Sequence, residues 1–144
     1  MKKYEFTGEL LQLKGHTLQR IRALRDVANV VAGECGGWIE KESNLSHKGE
    51  CWVAKTACVF EDAKVCDDAF IDDDALVYGG AIVCNHANVR NKAHVYGTSV
   101  IRDYAIIMEE SRIRGSVEIC ERVRVAGETY IECRGRITGE LVIE

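Results

Sequence analysis

From Ala57 onward every sixth residue is small or aliphatic: Ala57, Ala63, Ala69, Ala75, Ala81, Ala87, Ala93, Ser99, Ala105, Ser111, Val117, Val123, Thr129, Gly135 and Leu141. Two places after each stands a β-branched residue, without a gap from Val59 to Ile143. A period of six with two inward positions fits neither the 3.6-residue face of a helix nor the simple alternation of a strand. It predicts short strands separated by corners. The β-branched residue points in, its two neighbours point out, and the small residue sits where the chain bends. Corner pairs such as Gly79-Gly80, Asn85-His86, Asn91-Lys92 and Gly97-Thr98 supply residues that tolerate positive φ. Three hexads then close a triangular coil of 18 residues, so side chains 18 apart lie on adjacent rungs about 4.8 Å from each other.

Residues 1–50 do not share the period. Lys3 to Glu9, Leu10 to Leu13 and Thr17 to Leu24 are expected as strands, with Lys14-Gly15-His16 as a turn. They read as a small β-rich cap over the first coil of a solenoid spanning 51–144, the two forming a single structural unit. Such a cap covers backbone groups that an open coil end would leave unpaired.

The aliphatic-x-x-x-small frame resembles the hexapeptide-repeat left-handed β-helix family over about two-thirds of the chain, from Cys51 onward. The family frame loosens where Val117, Val123 and Leu141 replace the small residue. Gly15-His16-Thr17-Leu18, Arg20 to Leu24, Gly36 to Glu40, Asn44-Leu45-Ser46 and Cys51-Trp52-Val53 resemble the N-terminal part of YdcK-like β-helix proteins and their phage-encoded relatives. The resemblance implies an all-β, left-handed parallel β-helix. The hand comes from the family, since the general preference for right-handed crossovers points the other way. The resemblance also implies a homotrimer.

The 144 residues suffice for one domain, and the net charge of -4 gives no overall electrostatic pull toward nucleic acid or an anionic membrane. No apolar run approaches the roughly 20 residues that span a bilayer, and the start Met-Lys-Lys-Tyr-Glu-Phe lacks the apolar stretch of a secretory leader. An odd set of 7 cysteines, several in the hexad frame, reads as reduced thiols of a cytoplasmic protein. With no C-x-x-C, no metal site is expected. Charge is polarised along the chain: Glu61, Asp62, Asp67, Asp68 and Asp72 to Asp74 come early, whereas Arg102, Arg112, Arg114, Arg122, Arg124, Arg134 and Arg136 come late. The acidic pairs fall at different corners, which makes them a solvated rim and not an oxygen cage for calcium.

Stacking by 18 sorts the outward residues into faces. One carries Cys58 and Phe60, Leu76 and Tyr78, His94 and Tyr96, Arg112 and Arg114, then Tyr130 and Glu132. Aromatic planes followed by guanidinium groups suit a base or an apolar partner beside a phosphate or carboxylate. Tyr78, His94, Tyr96, Arg112, Arg114 and Tyr130 are therefore the candidate ligand or partner site. Cys58, Phe60, Leu76, Ile82, Cys84 and Val100 are the candidate oligomer interface. The bland alternative is that the whole aromatic face is buried between subunits and its arginines are merely solvated.

The favoured reading is a non-catalytic oligomeric binding module, of phage type, that sequesters a nucleotide-like small molecule or blocks a host protein, with no direct contact to nucleic acid and no resident cofactor. The alternative implied by the family is a coenzyme A-dependent acyltransferase with His94 as general base, the histidine on a solenoid strand face beside Tyr96 and one rung from Arg112. Against it, the hexads run without the loop insertion that accompanies the catalytic histidine in that family. A purely structural trimer is the third reading. Neither a phosphate-cradling glycine loop nor a G-x-S-x-G nucleophile motif is present.

Overall fold

Most inward β-branched residues and the outward one before each form a two-residue strand, two such pairs fuse into the longer strands Arg112–Ile119 and Tyr130–Ile137, and each strand lies parallel to those one coil away. The structure, a computed structural model, describes residues 2–144. Phe70–Ile71, Asn88–Val89 and Ile106–Ile107 stack in register on one wall, as do Leu76–Val77, His94–Val95 and Arg112–Ile113 on another. The third wall stacks Lys64–Val65, Ile82–Val83 and Val100–Ile101. The chain is thus an all-β solenoid of parallel stacked coils, and among the described residues the only helix is the 3-10 turn Glu42–Asn44. No helix among the described residues is long and apolar enough to cross a membrane.

Both repeating series face inward. Ala63, Ala75, Ala93, Val77, Val95 and Ile113 are fully buried, and Ala, not a larger residue, recurs near the corners, where two walls meet and inward space is tight. Where the small position becomes polar the hydroxyl is satisfied locally: Ser99 donates to the Tyr96 carbonyl and Ser111 to the Met108 carbonyl, both at 2.7 Å. The corners explain the acidic run. Asp67, Asn85, Asp103 and Glu121 all adopt left-handed backbone, and each side chain accepts the N–H of the corner residue on the next rung. Asn85 donates to Asp67 at 3.0 Å, Asp103 to Asn85 at 3.1 Å and Glu121 to Asp103 at 2.8 Å. Asn and Asp combine tolerance of positive φ with a short acceptor, which suits them to this ladder. Gly97 fills an equivalent corner (φ +74°) where a Cβ would lie 2.8 Å from the Gly115 nitrogen.

The N-terminal segment is an antiparallel hairpin, β1 (Tyr4–Leu13) and β2 (His16–Ala23), continued by β3 (Cys35–Ile39). β1 is one strand with a register shift between Phe6 and Leu10, instead of the two strands that the pattern suggests, and His16 opens β2 instead of closing the turn. The parallel ladder starts before Cys51. Trp38 pairs with Cys58 and Leu45 with Val65 at spacings of 20, while Trp52 pairs with Phe70 at 18. Two extra residues between Leu45 and Trp52 hide this first coil from a strict hexad count. Lys3 enters the irregular stretch: its buried ammonium donates to the Cys51 carbonyl at 2.6 Å and the Gly49 carbonyl at 3.4 Å. Asn44, also buried, satisfies both ends of its amide by accepting from Glu40 and Lys41 and donating to the Glu61 and Ala63 carbonyls.

The hairpin folds back over the solenoid. Leu11, Leu13 and Leu18 pack on Cys58, Phe60, Leu76 and Tyr78, leaving Phe60 at 1% exposure and Cys58 at 4%. Cys58 and Phe60, candidates for a subunit interface, are covered by their own chain. Trp52, in register with the outward Phe70, is likewise buried because the N-terminal segment covers it, with Tyr4 edge-on at 6.4 Å.

Leu18→Ala should cost about 2–5 kcal/mol, and hydrogen exchange in residues 4–23 should accelerate before that of the solenoid rungs; uniform exchange across the chain would show the two are not separable. His16 provides a second handle. It bonds Glu40 at 2.8 Å and lies 3.4 Å from Glu61. The Glu40 bond, with the charges of Glu40 and Glu61, raises its pKa above the ordinary 6.5. A raised folded value stabilises fully below the unfolded value and is lost as pH rises through the folded one. Hairpin stability should therefore decline as pH climbs above about 6.5, and His16→Gln should remove that slope in a melting series.

Candidate functional site

The aromatic residues stack as the spacing requires. Phe60 and Tyr78 lie 4.9 Å apart with planes at 10°, and Tyr78 and Tyr96 4.9 Å apart at 2°. Offset-stacked rings at this separation occupy one another's faces. The column is also closed at its ends, by His16 at 5.3 Å from Phe60 and by the Arg114 guanidinium at 5.9 Å from Tyr96. Within the column the planes of Phe60 and Tyr78 are occupied by neighbouring rings, and the Arg114 guanidinium lies on the outer side of Tyr96. Arg114 is itself engaged, 3.0 Å from Glu132 and 3.4 Å from the Tyr130 hydroxyl.

The neighbouring column is open. His94, Arg112 and Tyr130 are in register on successive rungs. They form the wall of a groove of about 500 Å³ whose other lining residues are Lys92, Glu110, Glu128 and Thr129. Of the sequence candidates, His94, Arg112 and Tyr130 meet here; Tyr78 and Tyr96 belong to the closed column and Arg114 to its end. Lys92, Glu110 and Glu128 come from the adjoining corner, again 18 apart, and were legible from the same rule had it been applied to corners as well as strands. Applied there it also finds His86, Tyr104 and Arg122: the His86 and Tyr104 rings stack at 4.9 Å, and the Arg122 guanidinium lies 4.7 Å from the Tyr104 ring.

His94 is half-buried, its ring edge-on to Tyr78 at 6.4 Å. Burial, then the charge of Arg112 and that of Lys14, holds its pKa below the ordinary imidazole value. Lys14 belongs to the hairpin turn, and its ammonium rests 5.3 Å from the Tyr78 ring, so the hairpin contributes electrostatically to a site on the solenoid. A neutral imidazole at neutral pH can accept a proton. The groove mixes charges: Arg112 on the wall and Lys92 at the corner can attract an anion, and Glu110 and Glu128, in the same corner column as Lys92, a cation. The other histidines serve elsewhere. His16 ties the hairpin down, and His47 stacks on Tyr4 at 4.1 Å while accepting the Lys3 N–H. Ile82, half-buried Cys84 and Val100 remain on a different wall, Ile82 at 36% exposure.

The chain is a β-solenoid with a half-buried histidine in a surface groove of mixed charge. No protein-family profile matches the chain. A stretch of 40 residues, 28% of the chain, is 42% identical to a protein of Escherichia coli (strain K12) named "Uncharacterized acetyltransferase YdcK". The match spans 12% of that protein's length.

Removing Arg112 tests the electrostatics directly. Arg112→Ala should raise the His94 titration midpoint toward 6.5, and Lys14→Ala should raise it less, both read from the imidazole proton resonances. A midpoint that stays put or falls would place the cause in burial alone.

Proposed function

We propose that the groove over His94 is an acyl-transfer site that takes an acyl group from coenzyme A to an amine. The observation carrying this is a half-buried imidazole that lines an open groove shared with two cations, Arg112 and Lys92, and two carboxylates, Glu110 and Glu128, and whose pKa is held below the ordinary value. The local likeness to a protein named an acetyltransferase supports the same chemistry. Arg112 and Lys92 suit the phosphates of the donor, and Glu110 and Glu128 suit an acceptor that arrives as an ammonium ion.

The acceptor attacks the thioester carbonyl once it has lost its extra proton to solvent. His94 takes one of the two remaining N–H protons as the C–N bond forms, and the other stays on the amide nitrogen. The tetrahedral intermediate collapses with cleavage of the C–S bond, and the departing thiolate takes the proton back from the imidazolium, which leaves amide, free thiol and neutral His94. The alternative of non-catalytic sequestration shares Arg112 and Lys92 but assigns no task to His94 or to Glu110 and Glu128.

Chromatographic separation of free and acylated coenzyme A, with mass analysis of a panel of mono- and polyamines, tests the proposal. The expected result is acylated amine, with His94→Gln lowering kcat by about 10²–10⁴ and Lys92→Ala mainly raising KM for the donor. Saturable coenzyme A binding with no product across the panel would replace this reading with sequestration. Absence of both would remove the groove from consideration as a coenzyme site.

A further inference from the structure

The corner after the wall of Lys64–Val65 and Ile82–Val83 gathers soft and hard ligands that the groove chemistry does not use. Cys66 and Cys84 occupy the same position on adjacent rungs, each directly after its strand. Their sulfurs and a carboxylate oxygen of Asp67 all lie within 4.8 Å of one another. We propose that Cys66, Cys84 and Asp67 bind a thiophilic divalent cation of the zinc class, with the fourth position open to solvent.

Three features of the corner favour this. First, an ion with bonds of about 2.0–2.3 Å holds its ligand atoms within about 4 Å of one another, so modest side-chain rotations close the site without moving the backbone. The rungs are already fixed: the Cys66 N–H donates to the Val83 carbonyl and the Cys84 N–H to the Ile101 carbonyl, both at 3.0 Å. Second, Asp67 is held by a ligand-like second contact. Its Oδ2 accepts from both the backbone N–H and the side-chain amide of Asn85 at 3.0 Å, which orients the carboxylate and leaves Oδ1 for an ion. Third, the charge balances. The balance is within the site itself: two thiolates and one carboxylate around a divalent ion leave a single negative charge at a partly exposed corner, and Arg102, on the next rung of the Cys66–Cys84 column, is already paired with Asp103 at 3.1 Å and Glu118 at 2.9 Å.

Binding exchanges two S–H bonds for two sulfur–metal bonds and releases two protons to solvent, with no change of oxidation state. The cation is distinct from the groove in its wall and its ligands, so its presence does not depend on the acyl-transfer reading. The sequence offered no C-x-x-C because the two sulfurs are neighbours across rungs and not along one loop. A pair 18 apart is the solenoid's equivalent of that motif.

Cadmium is a suitable probe, since its bonds to thiolate give an ultraviolet charge-transfer band. The full chain, kept reduced with a phosphine, should bind one cadmium with that band and be stabilised to heat by it. Cys66→Ser and Cys84→Ser should each weaken binding by about 100-fold, and Asp67→Asn, which keeps the bond to the Asn85 N–H, by about 10-fold. Cys35→Ser and Cys133→Ser, at exposed thiols elsewhere, should leave it unchanged. A band that survives both Cys66→Ser and Cys84→Ser, or one abolished by loss of Cys35 or Cys133, would overturn the proposal. Failure of the reduced chain to bind cadmium would also overturn it. So would a Cys66–Cys84 disulfide, detected by mass, as the only product of exposing the pair to metal and air.

Discussion

The hydrogen bond from each rung to the next is the constraint from which the remaining structure follows. The N–H of His94 reaches the carbonyl of Ser111 at 2.9 Å, and that of Tyr96 reaches Ile113 at 2.9 Å; the same pair of bonds recurs on every wall. Because they are parallel and in register, a side chain's nearest outward neighbours are residues 18 away, not those beside it in the chain. One inward residue per short strand gives little burial by itself. Stacking joins Val77, Val95 and Ile113 into a continuous apolar column that no single coil could shield. The corner ladder of Asp67, Asn85, Asp103 and Glu121 repeats the principle in polar form, since each carboxylate or amide satisfies a backbone N–H on the next rung that would otherwise lie unpaired.

A uniform solenoid would present three comparable walls, and the hairpin breaks that equivalence. By laying Leu11, Leu13 and Leu18 over Cys58, Phe60 and Leu76 it converts the start of one wall into core. The same wall is free from His94 onward. The accessible part of the wall thereby lies on the later coils, where Arg112 and Tyr130 stand exposed. The hairpin does not only cover. Its turn brings Lys14 over Tyr78, and that charge reaches His94. A residue of the segment outside the repeat thus acts on the proton affinity of a residue inside it.

The closed aromatic column and the open histidine groove lie side by side, separated by two positions in the sequence. Aromatic rings stacked at 4.9 Å satisfy one another, so the column is best understood as a rigid spine along the wall. His94 differs because the residues above and below it, Leu76 and Arg112, are not rings. Its only aromatic contact in the column is edge-on to Tyr78. What makes the groove chemically distinctive is therefore a break in the stack: a titratable ring with no planar neighbour, its pKa held below the ordinary value by burial and by two cations.

The sequence by itself determined the solenoid, because an uninterrupted six-residue period permits no other regular backbone and a six-residue strand-and-corner unit closes after three repeats. It also determined which residues stack, including the Phe60–Tyr78–Tyr96 column and the His94–Arg112–Tyr130 line. It did not reveal the first coil, since two extra residues after Leu45 put Trp38 and Leu45 out of phase with the later hexads. Nor did it reveal which stacked residues were accessible. Only the tertiary structure decided that Phe60, Cys58 and Trp52 are buried, that the planes of Phe60 and Tyr78 are occupied by neighbouring rings, and that Cys66 and Cys84 converge with Asp67. The physical reason is that periodicity fixes direction and neighbour along a wall. Exposure depends on what else packs there, and a hairpin without the repeat carries no periodic sign of the wall it will cover.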